Sequence, residues 1–385
     1  MHIFRSIKLG TNDEAPTGRK LRAQRIKGLK KLLKRNPTLA SYIVRLEIVI
    51  PPDNEWLGKD STFLCVMKKI SNSQHPLQTL SLRGFYHHLV NPSSVWTNFM
   101  KPFILPFITS LELRVISKFP LSILCSCPQL RKVILWASTL SVSASSLPHP
   151  NSRPQLQSLE FGSSNEAITS MLQMNKLYST IYMDLSTLQT LKAHVRRAED
   201  LTSVQQLINK SEGSLLDVSL VMDNRPCKST SQVLREITSA DFNEAYLPLT
   251  QRVDLHTMHT LQRLEVEIFA TSEDPLAGII SVLQTVPTLL YLELMIYGRW
   301  SNGHGPENLV SADWKGLNAQ LERISEVSKS LRAQIGIAYE VPRGYPTQPF
   351  QNVLGSICTT LLSQSRSIPH LTLNAIYGVD YPRLN

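Results

Sequence analysis

The sequence predicts an α/β fold in which short parallel strands, added one after another, form a curved sheet with helices on its convex side. Three observations predict it: a six-residue apolar pattern that recurs along the chain, helical stripes between its copies, and prolines at the helix-to-strand transitions. With 385 residues, 42% of them hydrophobic, the chain can bury a large core. We therefore expect an ordered, globular protein.

The recurring pattern is a six-residue word with apolar residues at positions 1, 4 and 6. Positions 4 and 6 are two residues apart and point to the same side of a short strand, whereas position 1 packs the turn that enters it. Ten words occur: Ile43-Leu46-Ile48, Leu77-Leu80-Leu82, Ile108-Leu111-Leu113, Leu130-Val133-Leu135, Leu156-Leu159-Phe161, Leu188-Leu191-Ala193, Leu215-Val218-Leu220, Leu261-Leu264-Val266, Leu289-Leu292-Leu294 and Ile368-Leu371-Leu373. Ten copies in series indicate stacked units.

The intervals between words leave room for a helix or a turn in each connection. The 79-residue interval from Leu292 to Leu371 predicts a further strand near Ile335 and Ile337. The 46-residue interval from Val218 to Leu264 also leaves room for an extra unit.

Helical stripes lie between the words. Apolar residues spaced by three and four predict helices, one of them from about 311 to 330; the stripes are Leu201-Val204-Leu207-Ile208, Ile279-Ile280-Leu283, Trp314-Leu317-Leu321-Ile324-Val327-Leu331 and Val353-Leu354-Ile357-Leu361. Pro128, Pro154, Pro287 and Pro369 precede words by two residues and mark where a helix stops. The alternation predicts an irregular leucine-rich-repeat solenoid (horseshoe). A pair of non-solenoid α/β domains is the alternative.

Regular repeats of this type carry an asparagine three residues after position 6, where its side chain bonds the backbone of neighbouring units. Here those places hold Phe85, Ile116, Ser138 and Ser164. The asparagine ladder is missing, so we expect an uneven, locally distorted arc.

Position 5 of each word should face the concave surface, and five of the ten residues there are glutamates. We expect the partner-binding residues to be Glu47, Arg83, Glu112, Arg114, Trp136, Glu160, Lys192, His194, Glu265 and Glu293. Carboxylates flanked by Arg and Trp suit a basic or mixed-charge segment of a partner protein. The alternative is that these glutamates only keep exposed strands soluble. The residues spread along a strip without a pocket, so glycosidase chemistry is not expected.

The sequence predicts no enzyme, no cofactor and no metal site. It contains no phosphate-binding lysine loop, dinucleotide-binding glycine pattern or nucleophile elbow. The five cysteines are odd in number and sparse, and the close pair Cys125 and Cys127 has no second pair at zinc-ligand spacing. With no secretion signal and no stretch of about 20 apolar residues, we expect an intracellular protein, cytoplasmic or nuclear, without membrane contact.

A basic segment, residues 18–37, holds Leu21, Leu29, Leu32 and Leu33 on one helical face and nine Lys or Arg elsewhere. The first 35 residues carry most of the formal net charge of +10. Phosphate or nucleic-acid binding and nuclear import are possible functions. The preferred interpretation is an amphipathic first helix with a solvated basic side. Aromatic residues for base stacking are absent, so sequence-specific RNA recognition is not expected. With the amphipathic helix preferred, nucleic acid is not the expected partner.

Two phrases of the sequence resemble fungal F-box proteins with degenerate leucine-rich repeats. Residues 2–9 (HIFRSIKL) are similar to the end of an F-box and its exit strand, and residues 32–48 (LLKRNPTLASYIVRLEI) to the helix and first strand that follow. Residues 119–121 (FPL) and 127–133 (CPQLRKV) also match that family's style. The resemblance implies an F-box exit remnant with the basic helix at 1–40 and a repeat domain at 41–385.

The resemblance also implies a function. In that family the repeat domain recruits a substrate protein for ubiquitylation, while the F-box docks the cullin-ligase adaptor. The F-box itself would precede Met1, so adaptor binding is implied only if an upstream F-box exists. The expected role is a protein-interaction scaffold that captures a substrate on its concave face and performs no catalysis.

Overall fold

The structure is a computed structural model, and it forms two compact units, Met1–Leu188 and Gln189–Asn385, which we describe separately. The described residues are 5–10, 16–51, 55–88, 93–142, 153–177, 183–195, 198–222, 253–269, 274, 276–299, 307–340, 348–364 and 370–378.

The first unit contains a parallel sheet whose strand order follows the chain order. Its strands are β1 (Ser6–Leu9), β2 (Arg45–Val49), β3 (Thr79–His88), β4 (Ser110–Ser117), β6 (Lys132–Trp136) and β8 (Ser158–Gly162), while β5 (Phe119–Pro120) and β7 (Leu140–Ser141) form a separate short pair. The helices are α1 (Pro16–Arg35), α2 (Trp56–Lys59), α3 (Ser61–Ser71), α4 (Ser93–Val95), α5 (Leu121–Cys125) and α6 (Asn165–Leu177), with a 3₁₀-helix at Pro37–Tyr42 and a π-helix at Trp96–Ile104.

The second unit repeats this plan. Its parallel strands, again paired in chain order, are β9 (Thr190–Val195), β10 (Asp217–Met222), β11 (Arg263–Phe269), β12 (Tyr291–Arg299), β13 (Arg332–Glu340) and β14 (Leu371–Gly378). Its helices are α7 (Ala198–Lys210), α8 (Ala277–Thr285), α9 (Glu307–Ser311), α10 (Trp314–Val327) and α11 (Gln348–Gln364). The predicted α/β fold with parallel strands and intervening helices is therefore confirmed.

The words stack in register within each unit. In the first unit the fourth-position residues pair from strand to strand in the series Leu46, Leu80, Leu111, Val133 and Leu159. In the second unit the series is Leu191, Val218, Leu264, Leu292, Ala333 and Leu371. All but Leu371 are buried, as are the first-position residues in the described ranges. Each buried leucine stabilises its unit by about 1.5–3 kcal/mol.

The long intervals have different explanations. β13 contains Ile335 and Ile337, so the strand predicted there is confirmed. β10 pairs directly with β11, and residues 223–252, where the sequence left room for another unit, lie outside the described residues. Ile368 of the tenth word also lies outside them.

The predicted helices are present, and local chemistry sets their ends. α7, α8, α10 and α11 contain the four apolar stripes. α10 begins at Trp314 rather than near Ser311, because the Asp313 side chain caps it by accepting a 2.8 Å hydrogen bond from the Gly316 amide. After α8, Val286 is extended, as the residue before a proline should be.

Serines replace the expected asparagine ladder in part of the first unit. The Ile116 amide donates to Ser138 Oγ at 3.1 Å, and the Ser138 amide donates to Ser164 Oγ at 2.9 Å. Both serine side chains also donate to backbone carbonyls of their own turns. The asparagine ladder is absent from these repeats, and serines bond the backbone in its place because a buried hydroxyl can act as both donor and acceptor.

The turns that hold this ladder share an unusual backbone. The residues two positions after the word, Val115, Ala137 and Ser163, have φ values of 57°, 46° and 51°. The left-handed region is strained for non-glycine residues. Its recurrence after three successive words therefore indicates one repeated turn. At Phe85, by contrast, the register between β3 and β4 shifts, so the turn does not repeat there.

Replacing Ser138 by alanine should destabilise the first unit. The Ile116 amide would lose its acceptor inside the core, and an unsatisfied buried donor costs about 1–3 kcal/mol. Urea denaturation measures the change. Ser170→Ala is the control, because the Ser170 hydroxyl is exposed and donates only to the preceding turn of α6. Equal stabilities of the two variants would contradict a structural role for the ladder.

Candidate functional site

The candidate site in each unit is the side of the sheet opposite the buried positions 4 and 6. Positions 3, 5 and 7 of each word point to this side because strand side chains alternate. β9 shows the alternation over its whole length, with half-buried and buried residues in turn. We call this side of each unit the open face.

All ten predicted binding residues lie on the open faces, in rows that cross the strands. In the first unit Glu47, Ser81, Glu112, Ile134 and Glu160 are consecutive register partners at position 5. Beside them Arg83, Arg114 and Trp136 are partners at position 7. In the second unit the position-5 row is Lys192, Ser219, Glu265, Glu293, Gln334 and Thr372, and His194 occupies position 7 of β9.

Glu112 is the most enclosed charge on the open face of the first unit, with 6% of its side chain exposed. Its Oε2 lies 2.9 Å from Arg45 Nη2, and its Oε1 accepts from Arg114 Nε. Arg45 reaches it from β2 across β3, a distance of two strand spacings of about 4.8 Å. Ser81, a small residue of β3, also hydrogen-bonds the carboxylate. The three strands are thereby tied through one carboxylate.

The electrostatics of Glu112 follow from this enclosure. Burial alone would raise its pKa, but hydrogen bonds from Arg114 and Ser81 and the charges of Arg114 and Arg45 outweigh that effect. The pKa of Glu112 is therefore below its ordinary value, and the carboxylate stays ionised at neutral pH.

An apolar island lies beside this cluster. The Trp136 ring is half-buried on β6, with the Arg114 guanidinium 5.9 Å from its centre, and Ile134 precedes it on the same face. Glu160, on β8, makes no ion pair with any described residue. Lys8 on β1 pairs with Glu47 at 2.8 Å at the other edge of the row. The first unit thus presents an aromatic anchor next to one unpaired carboxylate.

The open face of the second unit is organised around Arg263. Its guanidinium contacts Glu265, lies 3.5 Å from Glu293 Oε2, and stacks over the Tyr291 ring at 4.6 Å. The Tyr291 hydroxyl lies 3.1 Å from Glu293 Oε2 and 3.3 Å from Gln334 Oε1, and it can donate to one of them at a time. The cluster joins β11, β12 and β13.

Two groups near Arg263 have raised pKa values because they are partly buried. Burial, with the Glu293 charge and hydrogen bond, raises the pKa of Tyr291. Burial also raises the pKa of Asp217, although the charge of Arg263 opposes it. Between Lys192 and Glu265, the buried Ser219 hydroxyl finds no hydrogen-bond partner in the described part of the chain.

The sequence interpretation missed the side chains that neutralise the glutamate row. Arg45, Arg263 and Lys8 lie on the same face as the glutamates, and Arg45 and Arg263 occupy position 3 of their words. Period-two alternation could have placed them there. Which glutamate each one pairs with depends on cross-strand reach, as the Arg45 contact shows.

Metal and thiol chemistry find no support within the described ranges. There, no three His, Cys, Asp or Glu side chains converge as metal ligands. Cys125 and Cys127 are buried, which raises the pKa of each thiol to about 12, so both are inert protonated thiols at neutral pH. Of the helices in these ranges, none is long and apolar enough to cross a bilayer.

Comparison with known proteins gives no identification. The chain matches no protein-family model and no curated protein. The resemblance to fungal F-box proteins therefore stays a prediction, and the function is argued from the open faces.

Replacing Glu112 by glutamine should lower the free energy of unfolding at pH 7 by about 1–3 kcal/mol, because hydrogen bonds to a buried charge are lost. The pKa of Glu112 is lowered on folding, so its contribution is complete above the ordinary carboxyl value of 4.5. It then disappears as the pH falls through the lower folded-state pKa.

Urea denaturation of both proteins between pH 7 and pH 3 measures this difference. The difference in free energy of unfolding between the wild-type protein and the Glu112→Gln variant should become smaller as the pH falls. Glu326→Gln, at an exposed residue of α10, is the matched control and should show little change at either pH. A difference in free energy of unfolding that grows as the pH falls would contradict the proposed ionisation of Glu112.

Proposed function

We propose that the chain is an irregular leucine-rich-repeat solenoid that acts as a protein-interaction scaffold, binding an extended segment of a partner protein and catalysing no reaction. Strand order that follows chain order, in-register words and the repeated left-handed turn support the repeat interpretation. Rows of polar and aromatic side chains spread over several strands suit recognition of a segment better than conversion of a small substrate.

The observation that carries the proposal is that charges on the open faces are held in place by one another. Arg45 and Arg114 fix Glu112, while Glu265 and Glu293 fix Arg263. Arg263 nevertheless keeps 45% of its side chain exposed. A surface whose side chains are already ordered loses less entropy on binding, and its charge pattern sets the orientation and identity of the partner.

The chemistry of the partner follows from the side chains that the open faces present. Trp136 offers the kind of aromatic surface that concentrates binding energy at protein interfaces. Glu160, one strand away, would pair with a Lys or Arg of the partner. We propose a segment that carries an apolar residue next to a basic one.

The resemblance to F-box proteins extends this proposal to ubiquitin ligation. In that setting the bound segment belongs to a substrate, the protein acts in the cytoplasm or nucleus, and an F-box upstream of these residues would dock the cullin-ligase adaptor. β1 pairs with β2, and Lys8 of β1 pairs with Glu47, so this first strand is part of the sheet.

A displayed library of unstructured peptides, selected on the full chain, tests the proposal. Selected peptides should bind Trp136→Ser/Glu160→Lys at least tenfold more weakly, because loss of an aromatic anchor costs about 2 kcal/mol or more. The control is Val327→Ser/Glu326→Lys, which makes similar changes at exposed residues of α10. Fluorescence anisotropy gives the dissociation constants.

Two further measurements separate a loss of binding from a loss of folding. Thermal unfolding establishes that the Trp136 variant is folded, and Glu160→Lys alone should still weaken binding. Peptides whose affinity is unchanged by the open-face variants but falls with the α10 variant would overturn the proposal.

A further inference from the structure

The outward side of α1 carries a row of positive charge that the open faces do not use. Ile26 and Leu33 are buried, and α1 packs against α3. The other side of the helix presents five exposed basic residues: Lys20, Lys27, Lys31, Lys34 and Arg35. We call these five the basic face. At 1.5 Å per residue it extends for roughly 22 Å.

The described helices around the basic face supply no counter-charge. α1 contains no Asp or Glu, and neither do α3 and the 3₁₀-helix that pack against it. Within the described residues, none of the five basic side chains makes an ion pair. α3 instead adds Lys68 and Lys69 in its last turn. Positive charge is therefore present on both of these packed helices.

Helix electrostatics explain only part of this arrangement. Basic residues in a last turn are stabilised by the helix dipole, which accounts for Lys34 and Arg35. Lys20 lies in the N-terminal part of α1, where that interaction does not help. Lys27 and Lys31 are four residues apart and repel each other. Charges that destabilise the isolated helix indicate an anionic ligand.

Two classes of phosphate-bearing surface could supply that charge, and the apolar residues distinguish them. A helix that binds a membrane surface inserts a free apolar face, whereas Ile26 and Leu33 are buried within the protein. The exposed large apolar residues on the described positions of α1 are Leu21 and Leu32, 39% and 36% exposed. A duplex nucleic acid, with one negative charge per roughly 1.7 Å of axis, complements a straight row of lysines without any insertion.

We propose that the basic face binds double-stranded nucleic acid through its phosphates and without sequence preference. Lysines contact phosphates as point charges, and the face offers no aromatic side chain for stacking on bases. Binding at this site is separate from the peptide binding proposed for the open faces.

Fluorescence anisotropy with a labelled 20-base-pair DNA duplex of arbitrary sequence tests the proposal on the full chain. Five phosphate contacts predict a slope of about −4.5 in log affinity against log salt, which weakens binding about 500-fold between 50 and 200 mM salt. Lys20→Glu/Lys27→Glu/Lys31→Glu should leave a slope of about −2 and a loss of about tenfold over that range.

The matched control is Lys101→Glu/Lys315→Glu/Lys329→Glu, which changes the net charge equally at exposed lysines outside α1 and should retain the wild-type slope. Circular dichroism establishes that both variants fold. Equal loss in the two variants would overturn the proposal, because binding would then follow net charge alone. So would binding to vesicles containing phosphatidylserine at salt concentrations where the duplex does not bind.

Discussion

The parallel register of the strands is the constraint on which every other feature depends. Because Leu46, Leu111 and Leu264 occupy equivalent places, each new strand buries its position-4 and position-6 residues against those of the preceding strand. A slip of one residue would move those side chains to the open face and bring the charged residues into the core. The same register that builds the core therefore aligns positions 3, 5 and 7 into rows.

Those rows make cross-strand electrostatics possible. Arg45 reaches Glu112 over β3 because Thr79 and Ser81, which lie between, are small. An enclosed ion pair of this kind stabilises little more than an apolar replacement would. Its effect is to hold the guanidinium in one position, and that order is what a recognition surface needs. The Arg263 cluster produces the same result in the second unit from neighbouring strands.

The sequence predicts the elements of the fold well and the site only in outline. Period-two words and helical stripes reveal strands and helices because they depend on residues close in sequence, and the strand at Ile335 was found in this way. The Ser138 and Ser164 ladder was missed because a hydroxyl can replace an asparagine only in a turn whose backbone is already known. The neutralisation of Glu112 was missed because its carboxylate pairs with two residues at the same time. Arg45 is 67 positions away in the sequence, and Arg114 is 2 positions away.

Cysteine labelling along β11 tests the central claim most directly. Single cysteines at 263, 265 and 267 should react with a maleimide in the folded protein, whereas cysteines at 264 and 266 should react only after unfolding, because those positions are buried. Cys125 and Cys127 are buried and give little background, and Cys65, Cys227 and Cys358 would first be replaced by serine. Labelling rates that do not alternate along the strand would contradict the register, and with it the open face.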